Sequence, residues 1–420
     1  MPVHPLAEHL SFARKHSPFY RDLYRELPPE VHSPDELPVT DTVAFWHANT
    51  PTGNSVLTAP LNDALVLRSG GTTGAPKFSF WTAAEWAEFT AAFGHGLAAA
   101  GLPAGSRVAD LFFVGDLYAS FTFVMDSLAR CPVQTVRLPV AGSTPPDHVT
   151  DTLRQFHVDV VAGLPTTLRT LAEHVIATGE PLDEVRTILF GGEPVFGDQK
   201  VLLDAAFPRA DVRSLGYASV DAGLLGTPVP GDDPRVHRVC APYTVTEIVD
   251  DVTGAPVTDP GVPGDLVVTD LRRRLMPVLR YPVGDRAEWV DASRTTFRLL
   301  GRGEAGVRIG HVTLYPGDVR HVLAGVDTDG EVTDHQLVVR HHDGRDGLIL
   351  RAAVADPEAD HSALAGRFVA ALDVARPNHA EAVAAGDAHP ARVEWVRHSG
   401  LAVNPRSGKL VRVVDERPLS

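Results

Sequence analysis

Between residues 65 and 212 the chain alternates short apolar runs with amphipathic stretches, and this alternation limits the folds open to it. Short apolar runs bounded by turn residues are typical of buried strands, whereas apolar residues three and four apart are typical of helices. Strands and helices that take turns along a chain predict an α/β fold with a largely parallel sheet. The predicted strands are 108–114, 133–138, 158–162 and 185–190, and the predicted helices are 83–100, 148–155, 168–177 and 199–206.

The pattern changes after residue 212. Short strands separated by turn residues at 243–249, 264–269 and 296–300 predict a β-rich subdomain. We therefore predict a large N-terminal domain at residues 1–302, with mostly parallel sheets plus this subdomain.

A third pattern begins beyond Gly301, where a hairpin turning near Asp343, an amphipathic helix at 362–375 and a strand at 391–397 follow one another. This order predicts a small, mobile α+β domain at residues 303–420. At the other end of the chain, residues 6–23 have helical spacing.

Charge and cysteine content exclude several classes of protein. The formal net charge of -15 disfavours nucleic acid and anionic membranes as partners. Two cysteines, Cys131 and Cys240, cannot form a disulfide framework or a four-thiolate metal site. No apolar segment follows a basic start, and no long uncharged apolar run occurs, so we expect a cytoplasmic protein.

The segment from Arg68 to Lys77, RSGGTTGAPK, follows the apolar run Leu65–Leu67 and is dense in glycines, hydroxyls and cations. A glycine-rich loop between a strand and a helix presents backbone N–H groups to an anion, and the helix dipole adds to the attraction. The segment lacks the Gly-Lys-Ser/Thr ending of a P-loop, because Ala75 and Pro76 separate Gly74 from Lys77. It fits a loop that covers the phosphates of ATP.

The same segment resembles the phosphate loop of the adenylate-forming acyl-CoA synthetases, and within them of the phenylacetate–coenzyme A ligases. Further segments match the family in order along nearly the whole chain: HSPFYRDLYRE, GLPTT, FGGEPV, GYASVDAG, YPVGDRAEW, GRGEAGVRIGHVTLYPGDV and NPRSGKLVRVVDER. The resemblance implies the family's two-domain fold and the activation of a carboxylic acid by ATP and Mg²⁺.

The resemblance also assigns the nucleotide site. Tyr217 would stack on adenine, Ser219 would meet the α-phosphate, Asp221 would hold Mg²⁺, and Asp285 would bind both ribose hydroxyls together with Arg302. Asp221 stands where the family usually has Glu, so the shorter arm would reach the metal directly or through water. The remaining residues implied for ATP binding are Ser69, Gly70, Gly71, Thr72, Thr73, Gly74, Gly192, Glu193, Pro194 and Ala218.

Catalysis is assigned by the resemblance to Lys409, with Lys77 and Thr73 in the phosphate loop. A carboxylate that attacks the α-phosphate brings negative charge to negative charge, and a desolvated ammonium group offsets that charge in the transition state. Without the surrounding NPRSGK match, Lys409 would be interpreted as a solvated surface charge.

The acyl pocket is expected where apolar and aromatic residues occupy the family's aryl-lining segments. Such rings can pack a flat substrate, although each is equally compatible with core packing. Asp116 would recognise an amino or hydroxyl substituent, or would cap a turn. The candidate residues are Phe112, Phe113, Asp116, Tyr118, Pro165, Thr166 and Gly216.

The resemblance also implies a second half-reaction, in which the acyl group passes from the adenylate to a thiol. Two positions in the sequence concern this step. The family's hinge corresponds to Glu304, about which the small domain rotates between half-reactions. The family usually has Arg-Gly-Val where this chain has Gly310-His311-Val312, in the loop that lines the pantetheine tunnel. Thioester formation is therefore less well supported by the sequence than adenylation.

We expect an AMP-forming ligase that activates a small aromatic carboxylic acid and passes the acyl group to coenzyme A. Three alternatives remain: transfer to a carrier-protein arm or an amine, activation of a non-carboxylate such as nitrite, and an inactive relative that only binds nucleotide. Lys77, Asp285 and Lys409 argue against the inactive relative. A homodimer is common among the enzymes that the chain resembles.

Overall fold

The computed structural model describes residues 6–28, 31, 33–69, 77–193, 195, 197–231, 233–250, 253–302, 307–309, 312–314, 316–343, 345–386, 388–404 and 408–417. The chain divides into two compact units. The first, here the large unit, holds most residues up to 303, and the second, the small unit, holds most residues from 304 onward. Residues 197–201 group with the small unit and Gly408 with the large one.

The large unit begins with three helices, α1 (Leu6–His16), α2 (Pro18–Leu23) and α3 (Thr42–Ala48). Two antiparallel strands follow, β1 (Leu65–Ser69) and β2 (Lys77–Trp81), with Ser69 opposite Lys77. The glycine-rich loop therefore connects two strands. The predicted passage from strand to helix was wrong, because β2 follows the loop and the next helix begins only at Ala83.

A five-stranded parallel sheet forms the centre of the large unit, in the strand order β4-β3-β5-β6-β7. Its strands alternate with helices, which confirms the predicted α/β class. In chain order the elements are α4 (Ala83–Ala99), β3 (Arg107–Leu111), α5 (Ser120–Ala129), β4 (Val136–Pro139), α6 (Pro146–Gln155), β5 (Val160–Gly163), α7 (Pro165–Thr178), β6 (Thr187–Phe190), α8 (Gly197–Ala206) and β7 (Asp211–Ser214).

Both faces of this sheet are buried, as the alternation along β3 illustrates. Val108 and Phe112, which follows the strand, pack into one hydrophobic cluster, whereas Ala109 and Leu111 pack into another on the opposite face. Parallel sheets covered on both faces have near-continuous apolar strands, which is why these strands were recognisable in the sequence.

A seven-stranded antiparallel sheet follows in the order β11-β12-β13-β14-β10-β9-β8. It is larger than the sequence predicted, because β8 to β10 and the twelve-residue β13 were not recognised. The strands are β8 (Tyr217–Ser219), β9 (Gly223–Pro228), β10 (Val236–Arg238), β11 (Thr244–Val249), β12 (Pro263–Asp270), β13 (Val278–Trp289) and β14 (Thr296–Arg302).

The small unit is α+β, with a hairpin of β15 and β16 and a four-stranded sheet ordered β19-β18-β17-β20. The hairpin of β17 and β18 turns at Asp343, in the left-handed region with φ 49°, as predicted. The elements are β15 (Val307–Ile309), β16 (Val312–Leu314), α9 (Pro316–Val326), β17 (Asp334–His342), β18 (Arg345–Ala353), α10 (Ser362–Ala375), α11 (Pro377–Ala385), β19 (Ala388–Val396) and β20 (Val413–Asp415). Among the helices of the described ranges, none combines the length and apolarity that crossing a membrane requires.

Candidate active site

The parallel sheet has a topological switch point between β3 and β5, because the chain leaves β3 for β4 on one side and returns to β5 on the other. Ligands of open α/β sheets bind beyond the carboxyl ends of the strands at such a point. Phe112 and Phe113 follow β3, and Pro165 and Thr166 follow β5. The predicted acyl residues therefore lie where this topology places a ligand; we call residues 112–118 with Pro165 and Thr166 the acyl half of the site.

The two segments GLPTT and FGGEPV are joined directly by side-chain hydrogen bonds. Thr166 donates to the Glu193 carboxylate from its backbone N at 3.2 Å and from Oγ1 at 2.7 Å. Thr166 lies in the first turn of α7, so a carboxylate there satisfies an N–H that the helix leaves unpaired and also interacts favourably with the helix dipole. The preceding Gly192 has φ 79°, which glycine adopts without strain.

The aromatic residues of the acyl half differ in exposure. Phe112 is 3 % exposed and belongs to the hydrophobic cluster beneath α4, whereas Phe113 and Tyr118 are half-buried. Phe112 thus packs as a core residue, while the other two rings keep accessible surface. Only the latter pair can meet a substrate without repacking of the core.

Asp116 lies in an unusual turn. Asp116 and Leu117 both have positive φ, 48° and 60°, and backbone strain of this kind in non-glycine residues clusters at functional sites. The Asp116 carboxylate accepts a hydrogen bond from the Arg68 guanidinium group. The Arg68 backbone N also donates to Leu117 O at 2.9 Å, so the turn is attached to the end of β1.

The predicted adenine and ribose residues meet on the antiparallel sheet. The Tyr217 hydroxyl on β8 donates to the Asp285 carboxylate on β13. Asp285 pairs in register with Arg302 on β14, so the two residues predicted to contact ribose are cross-strand neighbours. We call residues 192–193, 217–221 and 285 the nucleotide half of the site.

Asp221, the predicted Mg²⁺ ligand, is held in a defined orientation. Ser79 Oγ donates to Asp221 Oδ1 at 2.7 Å, and the Asp221 backbone N donates to Ser219 Oγ at 3.2 Å. Asp221 Oδ2 accepts no hydrogen bond from the described residues. A half-buried carboxylate with one oxygen anchored fits a hard cation such as Mg²⁺, which prefers oxygen ligands.

The sequence matches the family described as AMP-binding enzyme over residues 24–271, more than half of the chain. The chain belongs to this family. Two curated relatives are the phenylacetate-coenzyme A ligases of Thermus thermophilus, 28 % identical over 309 residues (70 % of this chain, 66 % of the relative), and of Pseudomonas putida, 25 % identical over 366 residues (79 % and 77 %). The match to the Thermus protein thus spans slightly less than two thirds of that protein's length.

Solved structures show the same fold as this AMP-binding enzyme. The chain resembles 2-hydroxyisobutyryl-CoA ligase in the postadenylation state with a TM-score of 0.70 and 22 % identity, over 99 % of this chain and 91 % of the other. It also resembles ATP-bound MatB from Rhodopseudomonas palustris with a TM-score of 0.58 and 17 % identity, over 86 % and 69 %. These identities support the fold and no more.

Arg273 is a residue of the AMP-binding enzyme that sequence reasoning missed. Its guanidinium group is buried, lies 3.9 Å from the centre of the Trp81 ring, and donates to the carbonyl oxygens of Val220 at 3.3 Å and Phe80 at 3.2 Å. Arg273 thus joins β2 to the segment before Asp221. Burial lowers the pKa of Arg273 to about 10, so it stays protonated at neutral pH.

His237 was also missed, and its ring lies 5.7 Å from the Tyr217 ring, centre to centre. Its Nδ1 faces Arg235 O at 2.9 Å, so Nε2 carries the lone pair and accepts from Ser214 Oγ at 3.2 Å. Ser214 Oγ in turn accepts from the Gly216 backbone N at 3.1 Å. Burial lowers the pKa of His237 to about 4, so the ring stays neutral and this chain of bonds holds the Gly216–Ala218 segment.

Both catalytic lysine candidates lie among the described residues. Lys77 Nζ lies 5.3 Å from the centre of the Trp46 ring. Lys409 is half-buried in the small unit, where its carbonyl oxygen accepts from Asn404 N at 2.8 Å. Their assigned roles stay predictions, as do those of the other site residues.

Several predicted residues lie outside the described part of the chain: Gly70, Gly71, Thr72, Thr73, Gly74, Pro194, Glu304, Gly310 and His311. Arg302 is described only through its backbone. These residues therefore keep the roles that the sequence predicts, without a structural account.

Proposed function

We propose that the protein activates a carboxylic acid as its acyl-adenylate, using ATP and Mg²⁺, and transfers the acyl group to coenzyme A. The observations that carry the proposal are the hydrogen bond from Tyr217 to Asp285 and the anchored carboxylate of Asp221. These are the residue types that adenine, ribose and a phosphate-bound cation require, and two separate segments of the sequence contribute them. The family match and the named activity of the relatives support the same conclusion.

The proposed chemistry has two balanced steps. A carboxylate oxygen of the acid attacks the α-phosphorus of ATP, a P–O bond forms, and pyrophosphate leaves. The thiolate of coenzyme A then attacks the acyl carbon, a C–S bond forms, and AMP leaves. Mg²⁺, held by Asp221, would neutralise phosphate charge in the first step.

The cationic residues of this chain would stabilise the first transition state. Negative charge spreads over the oxygens around the α-phosphorus, and a desolvated ammonium placed there contributes about 3–4 kcal/mol. Lys409 takes this role in the proposal, while Lys77 binds the phosphates next to the glycine-rich loop. The small domain at 303–420 and a hinge at Glu304 belong to the same proposal, because one lysine cannot contact the α-phosphate while a thiol enters from the same side.

For the acid, we propose a small aromatic carboxylate. The half-buried rings of Phe113 and Tyr118 lie beyond the carboxyl end of β3, next to the switch point of the sheet. Flat aromatic substrates pack against such rings in offset or edge-to-face arrangements. The phenylacetate-coenzyme A ligases among the relatives agree with this class of acid.

The test is a panel of aryl and alkyl carboxylic acids scored by ATP–pyrophosphate exchange, followed by product analysis with and without coenzyme A. We expect exchange with small aryl acids and thioester only when coenzyme A is present. Exchange without thioester formation would favour transfer to a carrier-protein arm or an amine. Exchange with no acid in the panel, nor with nitrite, would leave a protein that only binds nucleotide.

A further inference from the structure

Three residues with metal-ligating side chains meet at one end of the four-stranded sheet in the small unit. His342 ends β17, Asp343 forms the following turn, and His389 lies near the start of β19. One ligand atom from each of the three lies within 4.8 Å of the others. None of the three belongs to the site proposed for adenylation.

Gly347, on the strand between the two histidines, makes this arrangement possible. A Cβ atom at Gly347 would lie 3.1 Å from His389 Cβ and 3.8 Å from His342 Cε1. Because no side chain stands there, the two imidazole rings approach each other over the sheet, with centroids 3.7 Å apart and planes 11° apart. A metal ion lies in the plane of each imidazole that binds it, so the exposed His342 ring must turn out of this stack to share an ion with His389.

The His389 ring is fixed in a tautomer that suits metal binding. His389 Nε2 lies 2.9 Å from His342 O, and since a carbonyl only accepts, Nε2 carries the proton. The lone pair of a neutral ring is then on Nδ1. Histidine ligands of metals commonly donate their other N–H to a carbonyl in this way, which holds the ring in orientation.

We propose that His342, Asp343 and His389 form a binding site for a divalent transition metal of the Zn²⁺ class. Two imidazoles and a carboxylate are a common donor set for this ion, which binds nitrogen and oxygen at about 2.0–2.2 Å in tetrahedral geometry. That geometry places ligand atoms about 3.4 Å apart. His342 and Asp343 are exposed, so their side chains can rotate to close the remaining gap.

A cavity of about 330 Å³ borders both histidines and leaves room for a water molecule as fourth ligand. Three charged side chains also line the cavity, Arg340, Arg392 and Glu416, of which Arg340 and Glu416 form an ion pair. His341, next in sequence to His342, also borders this cavity, but its Nδ1 bonds to Asp346 at 2.7 Å and it is not among the three clustered ligands. The neighbouring histidine therefore offers a matched control.

The experiment is a calorimetric titration of the whole chain with Zn²⁺, in the absence of nucleotide, repeated with Co²⁺, whose visible absorption reports tetrahedral nitrogen and oxygen ligation. We expect one equivalent of metal bound at micromolar concentration. His342→Gln and His389→Gln should each weaken this binding by about 30-fold or more, within the range seen when ligation is disturbed. His341→Gln should change it by less than twofold.

A further variant tests the space around the ligands while leaving the three ligand residues unchanged. Gly347→Val keeps all three ligands but crowds His389, because a Cβ at 347 already lies 3.1 Å from His389 Cβ, and we expect it to weaken binding by about tenfold or more. Circular dichroism of each variant establishes that it folds, and His342, being exposed, is the substitution least able to disturb the fold. Equal affinity in His342→Gln and the unmodified chain, or no binding tighter than millimolar, would overturn the proposal.

Discussion

The two halves of the candidate active site hold their predicted residues in different ways. In the nucleotide half, Tyr217 contacts Asp285 directly, and Ser79 anchors Asp221. In the acyl half, Phe112 packs into the core and the Asp116 carboxylate is bound by Arg68. A nucleotide has a fixed set of polar groups, so the residues that bind it must be of particular types and form a recognisable motif. The acid is bound mainly through the shape of its pocket, which depends on the placement of the backbone and not on particular residue types.

The largest effect, on stability, is expected for substitution of Phe112. Because its ring is buried, Phe112→Ala should lower the free energy of unfolding by about 3–5 kcal/mol, as large-to-small core substitutions do. Phe113→Ala, at a half-buried ring, should cost less stability and raise the KM for the acid instead. Urea unfolding and acid kinetics on both variants check this.

One result would contradict the assignment of Phe112 to the core and Phe113 to the pocket. If Phe112→Ala unfolds like the unmodified chain but raises the KM for the acid, its ring belongs to the pocket and not to the core. The acyl half would then be deeper than the structure indicates.

Lys409→Ala should lower the rate of adenylation by about 100-fold or more, with the KM for ATP little changed, because the ammonium acts mainly in the transition state. Conversion of a supplied acyl-adenylate to thioester serves as the internal control and should change far less. Pyrophosphate exchange and thioester formation are measured on one preparation. Equal loss in both steps would remove Lys409 from the role assigned to it.

Asp221→Asn should raise the Mg²⁺ concentration needed for half-maximal exchange by about tenfold, since one negative ligand charge is lost. Asp221→Glu should retain much of the rate. Ser79→Ala, which removes only the hydroxyl that anchors Oδ1, should shift the Mg²⁺ requirement less than Asp221→Asn. Unchanged Mg²⁺ dependence in all three variants would return Asp221 to a turn-forming role.

The sequence was sufficient for the α/β class, because strands buried on both faces of a parallel sheet are continuous apolar runs such as Val160–Ala162. It was insufficient for α5, because the residue before the run SFTFVMDSLA is Ala119, which has no side chain that can cap a helix and so mark its start. The position of the glycine-rich loop was also misjudged. A strand and a helix can both follow such a loop, and only the pairing of β1 with β2 decides between them.

Motif residues of the site were recognisable because their chemistry demands a particular residue type. The supporting residues were not, since Arg273 and His237 act through carbonyl groups and a serine hydroxyl that are distant in the sequence. The run LRRRL around Arg273 was the available signal, because three adjacent arginines after an apolar strand require partners. Nothing in the sequence indicates which partners.

The smallest effect on activity is expected for substitution of Asp116, in the acyl half of the site. Arg68 and Asp116 form an ion pair whose side chains are 25 % and 58 % exposed, and exposed pairs typically contribute about 0.2–1 kcal/mol. Asp116→Asn should therefore change kcat/KM by at most about fivefold, to the same extent for plain, amino-substituted and hydroxy-substituted aryl acids. Arg68→Gln should have a similar effect, and the double variant should be no less active than either single variant.

A selective loss of more than about tenfold with the amino- or hydroxy-substituted acids in Asp116→Asn alone would mean that this carboxylate recognises the substituent. Arg68 would then orient a specificity residue, and the acyl half would be as chemically defined as the nucleotide half.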